Sequence, residues 1–400
     1  MTSNDTTRKF IQEHRNDDVR TLALQARRYP DVDMREAVTQ IEGWQLAKNK
    51  LPEWAASEGV IFPPRISMEQ CSSQATALYK ASIAGGEKLA DLTGGFGIDC
   101  SYLARNFKEA YYIERNPLLC EIAQHNFPHL GINHITIKNG ECEDILPTLP
   151  SLDWIFIDPA RRDGDGRKVV ALADCTPSVA ELEETLLQKS KKVMIKCSPM
   201  LDIAAARREL KQISEIHIIA LNNECKELLF ILTDNKERES ITTHCINLTN
   251  KGNEEFSFTS NEEQTAGLNL ADQVCKYLYE PNAAIQKAGC HHTLAQATQT
   301  KKLHSNSHLY TADNEAPNFP GRKFKVEKVF GFTKNDIKEL ATLKKANITV
   351  RNFPESVQQL RKRLKLAEGG EKYIFATTLA NESKVLVVCE KTESLYLALI

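Results

Sequence analysis

Long apolar runs are missing from this sequence of 400 residues. No stretch approaches the roughly eighteen consecutive apolar residues that cross a bilayer as a helix. The first residues also lack the apolar core of a secretory signal. We therefore expect a soluble, cytoplasmic protein.

Cysteine pairs are missing as well. Eleven cysteines are scattered along the chain without a C-x-x-C pair, a distribution that favours reduced, buried thiols over disulfides. The metal-like motif Cys290-His291-His292 has no second group of ligands elsewhere in the sequence. No metal is therefore expected.

A strong overall charge bias is absent, since 51 Lys and Arg residues face 53 Asp and Glu residues. Charge is nevertheless uneven along the chain. Between Arg322 and Lys365 there are thirteen basic residues against four acidic ones. A single charge run is often only a solvated surface, but an excess sustained over a whole segment favours binding to nucleic acid.

The most informative apolar segment ends in three glycines. Residues 89–92 predict a buried parallel strand, residues 94–97 predict a tight turn, and a helix is expected from Ile98. Such a turn directs backbone N–H groups at a ligand. Cys100 stands where a dinucleotide fingerprint needs Gly or Ala, and the G-K-[ST] of a Walker A loop is absent. A purely structural turn remains the alternative.

Strands and helices alternate through the central part of the chain, as in a doubly wound α/β sheet. The connection after residue 221 is too short for a helical crossover, so the final strand is expected to be antiparallel. The predicted strands are 89–92, 110–114, 134–138, 153–157, 192–197, 215–221 and 227–233. The predicted helices begin near Ile98, Pro117, Pro177 and Leu201.

The flanking regions have different patterns. Residues 6–60 predict helices, and Ser67 with Gln70 resembles a capping box that opens another helix running to about Ile83. Residues 241–248 and 254–259 are candidate strands of a hairpin, and residues 271–288 predict a helix. The last part alternates strands at 323–330, 348–352, 373–378 and 384–389 with helices at 334–346 and 354–366.

These patterns divide the chain into four segments. They are an N-terminal helical region (1–66), an α/β domain (67–240), a linker or small ferredoxin-like α+β segment (241–320) and a basic α+β domain (321–400).

Acidic residues follow successive strands of the predicted sheet. Glu114 follows the second strand, Glu141 the third, and Asp158 the fourth. Each alone is most simply a solvated loop residue or a helix cap. Together they place polar groups along the carboxyl edge of one sheet, where open α/β sheets bind ligands.

This arrangement resembles class I S-adenosylmethionine-dependent methyltransferases. Their first motif is similar to Asp91-x-Thr93-x-Gly95-x-Gly97, and an antiparallel last strand is also their topology. The resemblance implies a Rossmann-like sheet and S-adenosylmethionine as cofactor. It implies these cofactor-binding residues: Asp91, Thr93, Gly95 and Gly97 in the turn, Glu114 at the ribose with Arg115 beside it in sequence, and Glu141 and Cys142 at the adenine.

A narrower resemblance covers nearly the whole chain. Segments such as Asp158 to Arg162, Tyr279 to Ile285 and Lys345 to Pro354 are similar to a bacterial group of these enzymes with a C-terminal THUMP-like domain. THUMP domains bind RNA, so the resemblance implies a tRNA or rRNA substrate.

The fourth motif of the resemblance, Asp158-Pro159-Ala160-Arg161, implies the catalytic residues Asp158, Pro159 and Arg161. The Asp158 carboxylate and the Pro159 carbonyl are suited to accept N–H groups of an exocyclic amine and localise its lone pair. Arg161 and Arg162 are suited to hold a phosphate or stack on a base.

Two alternatives stay open. Val193 to Pro199 is similar to the segment that carries the nucleophile of C5-uridine methyltransferases, which would make Cys197 a covalent catalyst. A small buried residue at a strand end explains Cys197 more simply. The other alternative is a protein that binds the cofactor and RNA without turnover.

One further cofactor contact is predicted before the sheet. Gln70 and Ser73 lie on an amphipathic segment that is suited to line the amino-acid end of the cofactor. Core packing by Cys71, Ala75 and Leu78 explains the same segment without that role.

Overall fold

The computed structural model describes residues 4–161, 172–234 and 240–392. The chain divides into two compact units, the first made of residues 1–214 and 228–237 and the second of residues 215–227 and 238–400. No helix in the described ranges combines the length and apolar character needed to cross a bilayer.

The first unit begins with six helices within residues 4–82. Asn4, Asp18 and Asp33 cap three of them by accepting backbone N–H bonds, which explains where those helices start. The helices are α1 (Asp5–His14), α2 (Val19–Leu24), α3 (Met34–Lys50), α4 (Pro52–Ala56), α5 (Arg65–Gln70) and α6 (Gln74–Ser82).

The α/β part of the first unit follows. Its strands and helices are β1 (Gly86–Asp91), α7 (Ile98–Leu103), β2 (Phe107–Glu114), α8 (Pro117–His129), β3 (Ile135–Asn139), α9 (Cys142–Ile145), β4 (Leu152–Ile157), β5 (Ala160–Arg161), β6 (Cys175–Thr176), α10 (Val179–Lys189), β7 (Ser190–Cys197) and α11 (Ile203–Glu209). A hairpin then follows, formed by β8 (Ile213–Leu221) and β9 (Glu224–Leu232).

The sheet of the first unit has the strand order β3-β2-β1-β4-β7-β9. Its pairs are parallel except β7 with β9, which is antiparallel. Asn222 and Asn223 join β8 to β9 with φ angles of 50° and 65°, the left-handed backbone of a two-residue hairpin turn. The predicted doubly wound sheet with an antiparallel last strand is confirmed.

The second unit contains most of β8 and all the remaining elements. They are β10 (Thr242–Leu248), β11 (Glu254–Thr259), α12 (Ser260–Thr265), β12 (Tyr277–Pro281), α13 (Ala283–Ala288), α14 (His291–Ala297), β13 (Lys301–Lys302), β14 (Tyr310–Ala312), β15 (Gly321–Phe330), α15 (Lys334–Leu340), β16 (Asn347–Arg351), α16 (Val357–Leu364), β17 (Lys372–Thr378) and β18 (Lys384–Lys391).

Strands of the second unit pair in two ways. β8 is parallel to β10, and β10 is antiparallel to β11. The later strands form a sheet in the order β13-β14-β12-β15-β18-β17-β16, which is antiparallel except where β16 meets β17. The small C-terminal α+β domain predicted from the sequence is therefore present.

One predicted helix is wrong over two thirds of its length. Residues 271–288 were expected to be helical, but Tyr277–Pro281 is a strand and only Ala283–Ala288 is a helix. The strand lies between β14 and β15, so Leu278 and Tyr279 are buried by neighbours on both sides. Tertiary pairing of an aromatic-rich segment overrides the helical spacing here.

The predicted capping box is also wrong. Ser67 lies inside α5, which begins after Pro64 without a side-chain cap. The longer helix α6 begins after Ser73, whose hydroxyl accepts the Thr76 N–H. Pro64 has extended backbone and directly precedes α5, so the helix begins at Arg65, two residues before Ser67.

The glycine turn rests on the N-terminal helices. Trp54, Phe62, Met68 and Ala77 form one buried cluster with Phe96 of the turn, and the Trp54 and Phe96 ring centroids lie 4.8 Å apart. Helices α3 to α6 and their connections therefore pack against the turn.

Replacing Trp54 with Ala should lower the free energy of unfolding by about 3–5 kcal/mol, because it leaves a cavity beneath the turn. Urea denaturation followed by circular dichroism measures this. Leu24→Ala is the control, because Leu24 is 87% exposed and its truncation should have almost no effect. Equal losses in the two variants would contradict the support role of Trp54.

Candidate active site

The turn after β1 is held tightly against β2. Gly95 and Gly97 have φ angles of 55° and 88°, which only glycine adopts easily. A Cβ on Gly94 would lie 2.2 Å from the Tyr112 ring. The Tyr112 hydroxyl also donates to the Gly95 carbonyl over 2.5 Å. These contacts require the three glycines and fix the path of the backbone at the sheet edge.

Glu114 is bound to the same turn. Its Oε2 accepts the Gly95 N–H over 2.8 Å, and its Oε1 accepts the Asn116 N–H over 2.8 Å. Each carboxylate oxygen has a second lone pair, so both can still accept a hydroxyl from a ligand. The acid is therefore oriented before any ligand arrives.

Asp91 and Thr93 connect the turn to the neighbouring strand. Asp91 is 1% exposed, and its Oδ1 accepts the Thr93 N–H over 3.0 Å. Burial raises the pKa of Asp91 well above its usual range, against the Thr93 hydrogen bond that lowers it. The Thr93 hydroxyl in turn accepts the Asp158 N–H over 2.7 Å. Three of the predicted residues thus form one hydrogen-bonded series.

A chain of buried charges lies next to this series and was not predicted. Lys196 forms ion pairs with Asp158 and, at 3.4 Å, with Asp99. Asp99 also pairs with Lys80 at 3.1 Å. Ser72 donates to Asp99 over 2.8 Å, which brings the segment before α6 onto the first turn of α7.

The signs of these four charges alternate, so the group is neutral overall. Burial alone would raise the pKa of Asp99, but Lys80 and Lys196 hold it below its usual range. Lys80 is fully buried, whereas Asp158 has 37% of its side chain exposed. This series of charged side chains therefore extends from the fully buried Lys80 to the partly exposed Asp158 carboxylate.

The segment after Asp158 is fixed by a short ladder. Ala160 and Arg161 of β5 pair with Thr176 and Cys175 of β6. Pro159 lies half-buried between this ladder and β4. The side chain of Arg161 and the whole of Arg162 lie outside the described residues, so their predicted roles stay predictions.

Two predicted adenine contacts have different surroundings. Glu141 is exposed at the start of α9, next to Gly140, whose N–H donates to the Glu114 carbonyl over 3.1 Å. Cys142 is buried, and its thiol donates to Glu143 over 3.1 Å. Arg115 is exposed beyond Glu114. The loop after β3 thus reaches the end of β2, as expected for one edge of a site.

The segment predicted to reach the amino-acid end of the cofactor lies at the junction of α5 and α6. Gln70 is exposed at the end of α5, and the Ser73 hydroxyl caps α6 at 3.2 Å from the Thr76 N–H. Ser72, between them, makes the contact with Asp99. Ser72, which was not predicted, is therefore the residue of this segment that contacts the charged side chains.

Cys197 is a poor nucleophile in this environment. It is 7% exposed, and burial together with Asp158 and Cys175 raises the pKa of its thiol well above its usual range. Only the thiolate attacks, so this environment favours the packing role. Lys196, the adjacent residue, points to the charged chain, and neighbouring side chains on a strand point to opposite faces.

The missed lysine did have a sequence signal. Lys196 is the one charged residue within the buried part of β7, between Ile195 and Cys197. A cation in a buried parallel strand needs a partner. Lys80 and Asp99 gave no comparable signal, because each belongs to a helix where a charged residue is usually exposed.

Comparison with known proteins gives the following matches. A methyltransferase structure from Porphyromonas gingivalis W83 covers 97% of this chain and 98% of its own, with 37% identity and a TM-score of 0.88. A cobalt-precorrin-6B C(15)-methyltransferase (decarboxylating) from Pyrobaculum aerophilum is 25% identical over 126 residues. That match spans 30% of this chain and 61% of the curated relative.

Two family descriptions match the second unit. Residues 277–320 match a ferredoxin-like domain, and residues 321–391 match a domain described as THUMP domain-like.

Replacing Lys80 with Met should destabilise the protein by about 3–5 kcal/mol at pH 7, because it breaks a fully buried ion pair. Asp99 has a lowered pKa in the folded chain, so its contribution is complete above the unfolded value of about 4 and fades as pH falls further. The difference between variant and parent should therefore shrink at pH 3.

Urea denaturation at both pH values measures this effect. Lys191→Met is the matched control, because the Lys191–Asp153 pair spans 2.7 Å but leaves Lys191 79% exposed. Little loss is expected from such a surface pair. If Lys80→Met lost no more free energy of unfolding than Lys191→Met, the stabilising role of the buried ion pairs would be contradicted.

Proposed function

We propose that this chain, which belongs to the methyltransferase family of the P. gingivalis protein, methylates RNA at an exocyclic amine or ring nitrogen of a base in tRNA or rRNA. S-adenosylmethionine is the methyl donor and supplies a methyl group on a sulfonium.

The residues at the sheet edge suit this donor. Glu114 offers lone pairs on both oxygens to ribose hydroxyls, and it is already oriented by the Gly95 and Asn116 N–H groups. The glycine turn presents backbone close to the ligand because Gly94 and Gly97 leave no side chain in the way. We assign Asp91, Thr93, Gly95, Gly97, Glu114, Arg115, Glu141, Cys142, Gln70 and Ser73 to cofactor binding.

The placement of Asp158 carries the proposal. Its backbone N–H is bound by Thr93 of the cofactor turn, and its carboxylate pairs with Lys196. With 37% of its side chain exposed, it can reach a base from solvent. The carboxylate accepts an N–H of the target amine, and the nitrogen lone pair then forms the new N–C bond as the C–S bond breaks. The amine proton passes to Asp158.

Lys196 acts as a positioning residue. It holds the Asp158 carboxylate in one orientation, while Asp99 balances the lysine charge. Because the four charges cancel, the site does not repel a cationic sulfonium. Pre-positioned groups of this kind contribute most when charge develops during the reaction.

The RNA part of the proposal is supported by the second unit. Residues 321–391 match the THUMP domain-like description, and this region includes the basic segment between Arg322 and Lys365. Arg322 and Arg351 both pair with the buried Glu280, and each keeps about a third of its side chain exposed. Two oriented guanidinium groups suit phosphate.

Asp158→Asn should reduce methyl transfer to RNA by about 10²-fold or more, because Asn cannot take the amine proton. Affinity for S-adenosylhomocysteine should stay within a few-fold. Labelled methyl transfer to total RNA and isothermal titration measure the two quantities. Asp31→Asn, an exposed acid in the first unit, is the control.

The substrate can be identified at the same time. Mass spectrometry of RNA nucleosides from cells with and without the protein should show one methylated amine or ring nitrogen that disappears. Full activity of Asp158→Asn would overturn the catalytic assignment, and activity on protein but not on RNA would overturn the substrate class.

Cys197→Ala should keep nearly full activity, because the proposed mechanism gives this buried thiol no covalent role. The assay is the same methyl transfer, with a search for a covalent RNA–protein adduct on denaturing gels. Cys389→Ala serves as a comparison for replacing a buried thiol outside the assigned site. Loss of both activity and an adduct in Cys197→Ala would favour C5-pyrimidine chemistry instead.

A further inference from the structure

We propose that Glu215, His217 and His244 of the second unit bind a divalent transition-metal ion, for which zinc is the best fit. This site lies outside the residues assigned to methyl transfer and does not depend on the proposed substrate.

The strand register brings the three residues together. β8 is parallel to β10, and His217 lies directly beside His244 in that pairing. Glu215 is two residues before His217, so it lies on the same face of β8. His244 is also opposite Ser257 of β11. Three strands therefore contribute to one row on one face.

The ligand atoms converge on a small volume. The His217 Nε2 lies 3.2 Å from the Glu215 Oε2, and the His244 Nε2 lies 3.7 Å from the same oxygen. One ligand atom from each residue lies within 4.8 Å of the other two. His217 is buried, while Glu215 and His244 have 36% and 27% of their side chains exposed. An ion can therefore enter from solvent.

The chemistry of the three atoms favours zinc. Two imidazole nitrogens and one carboxylate oxygen match the ligands of zinc sites that keep a fourth position for water. The His244 Nδ1 lies 2.8 Å from the Ser257 hydroxyl. A hydrogen bond from Nδ1–H to that oxygen leaves the lone pair on Nε2, the atom that faces Glu215, as metal-binding histidines require.

Stacked histidines alone do not indicate a metal site in this chain. His125 and His129 stack at 4.4 Å and 26°, almost the geometry of His217 and His244 at 4.5 Å and 26°. Within the described ranges, the group around Glu215 is the only set of three potential ligands this close together. The carboxylate distinguishes it from the other pair.

Binding needs one adjustment. The two rings are nearly parallel, so an ion shared by both Nε2 atoms requires a turn of the His244 ring. His244 is the more exposed of the two, with 27% of its side chain exposed against 4% for His217. The sequence contains no sign of this site, because its residues come from two separate strands and share no regular spacing. Only Cys290-His291-His292 resembled a metal motif, and no metal was expected there.

The test is zinc titration of the full chain, stripped with a chelator and with accessible thiols alkylated, since Cys71, Cys225 and Cys275 are only partly buried. Calorimetry should give one ion per chain. His244→Gln and Glu215→Gln should abolish this binding. Ser257→Ala should weaken it by about tenfold or more, as loss of an outer hydrogen bond does at other metal sites.

His129→Gln is the matched control, because it disrupts a similar stacked pair without a carboxylate and should still bind one ion. Thermal unfolding with excess zinc adds a second readout, since a ligand of the folded state raises the melting temperature. Zinc should raise it for the parent and for His129→Gln, but not for His244→Gln.

His217→Gln alters a buried residue and can impair folding, so the half-exposed His244 and Glu215 decide the outcome. The proposal is overturned if the parent binds no zinc, or if His244→Gln binds it as tightly as the parent. Either result would leave the three residues as a hydrogen-bonded cluster on the sheet.

Discussion

The alternating ion pairs from Lys80 through Asp99 and Lys196 to Asp158 are the constraint on which the first unit depends. They connect α6, α7, β7 and the end of β4, four elements that are far apart in sequence. A buried charge without a partner is costly, so each member keeps the next in place. The arrangement makes the position of Asp158 a property of the whole sheet rather than of its own loop.

Sequence reasoning was most successful where the signal is local. The glycine turn, the strands that follow it and the antiparallel last strand were all predicted from apolar runs and short connections, because burial on both faces leaves a continuous apolar pattern. The segment around Tyr279 was assigned to a helix, since its central place between two strands is decided by residues distant in sequence. Ser67 was mistaken for a helix cap because its spacing to Gln70 resembles a capping box. The helix in fact begins earlier, directly after Pro64.

The candidate site was also predicted only in part: residues with a local signal were found, and residues that meet only after folding were missed. Glu114 and Asp158 were predicted because they follow strands, and the structure brings both into contact with the glycine turn. Lys80, Asp99 and Ser72 were missed because their partnership exists only after folding. The cluster of Glu215, His217 and His244 depends on a parallel strand register, which no spacing along the chain reveals.

The hydroxyl of Thr93 connects the two sides of the proposed site. It belongs to the turn that we propose binds the methyl donor, and it accepts the backbone N–H of Asp158, the acid that we propose contacts the RNA base. A shift of the turn would therefore act on Asp158 directly, through one hydrogen bond. In the proposed mechanism the donor side and the acceptor side therefore meet at a single oxygen atom, and one contact links the cofactor turn to the placement of Asp158.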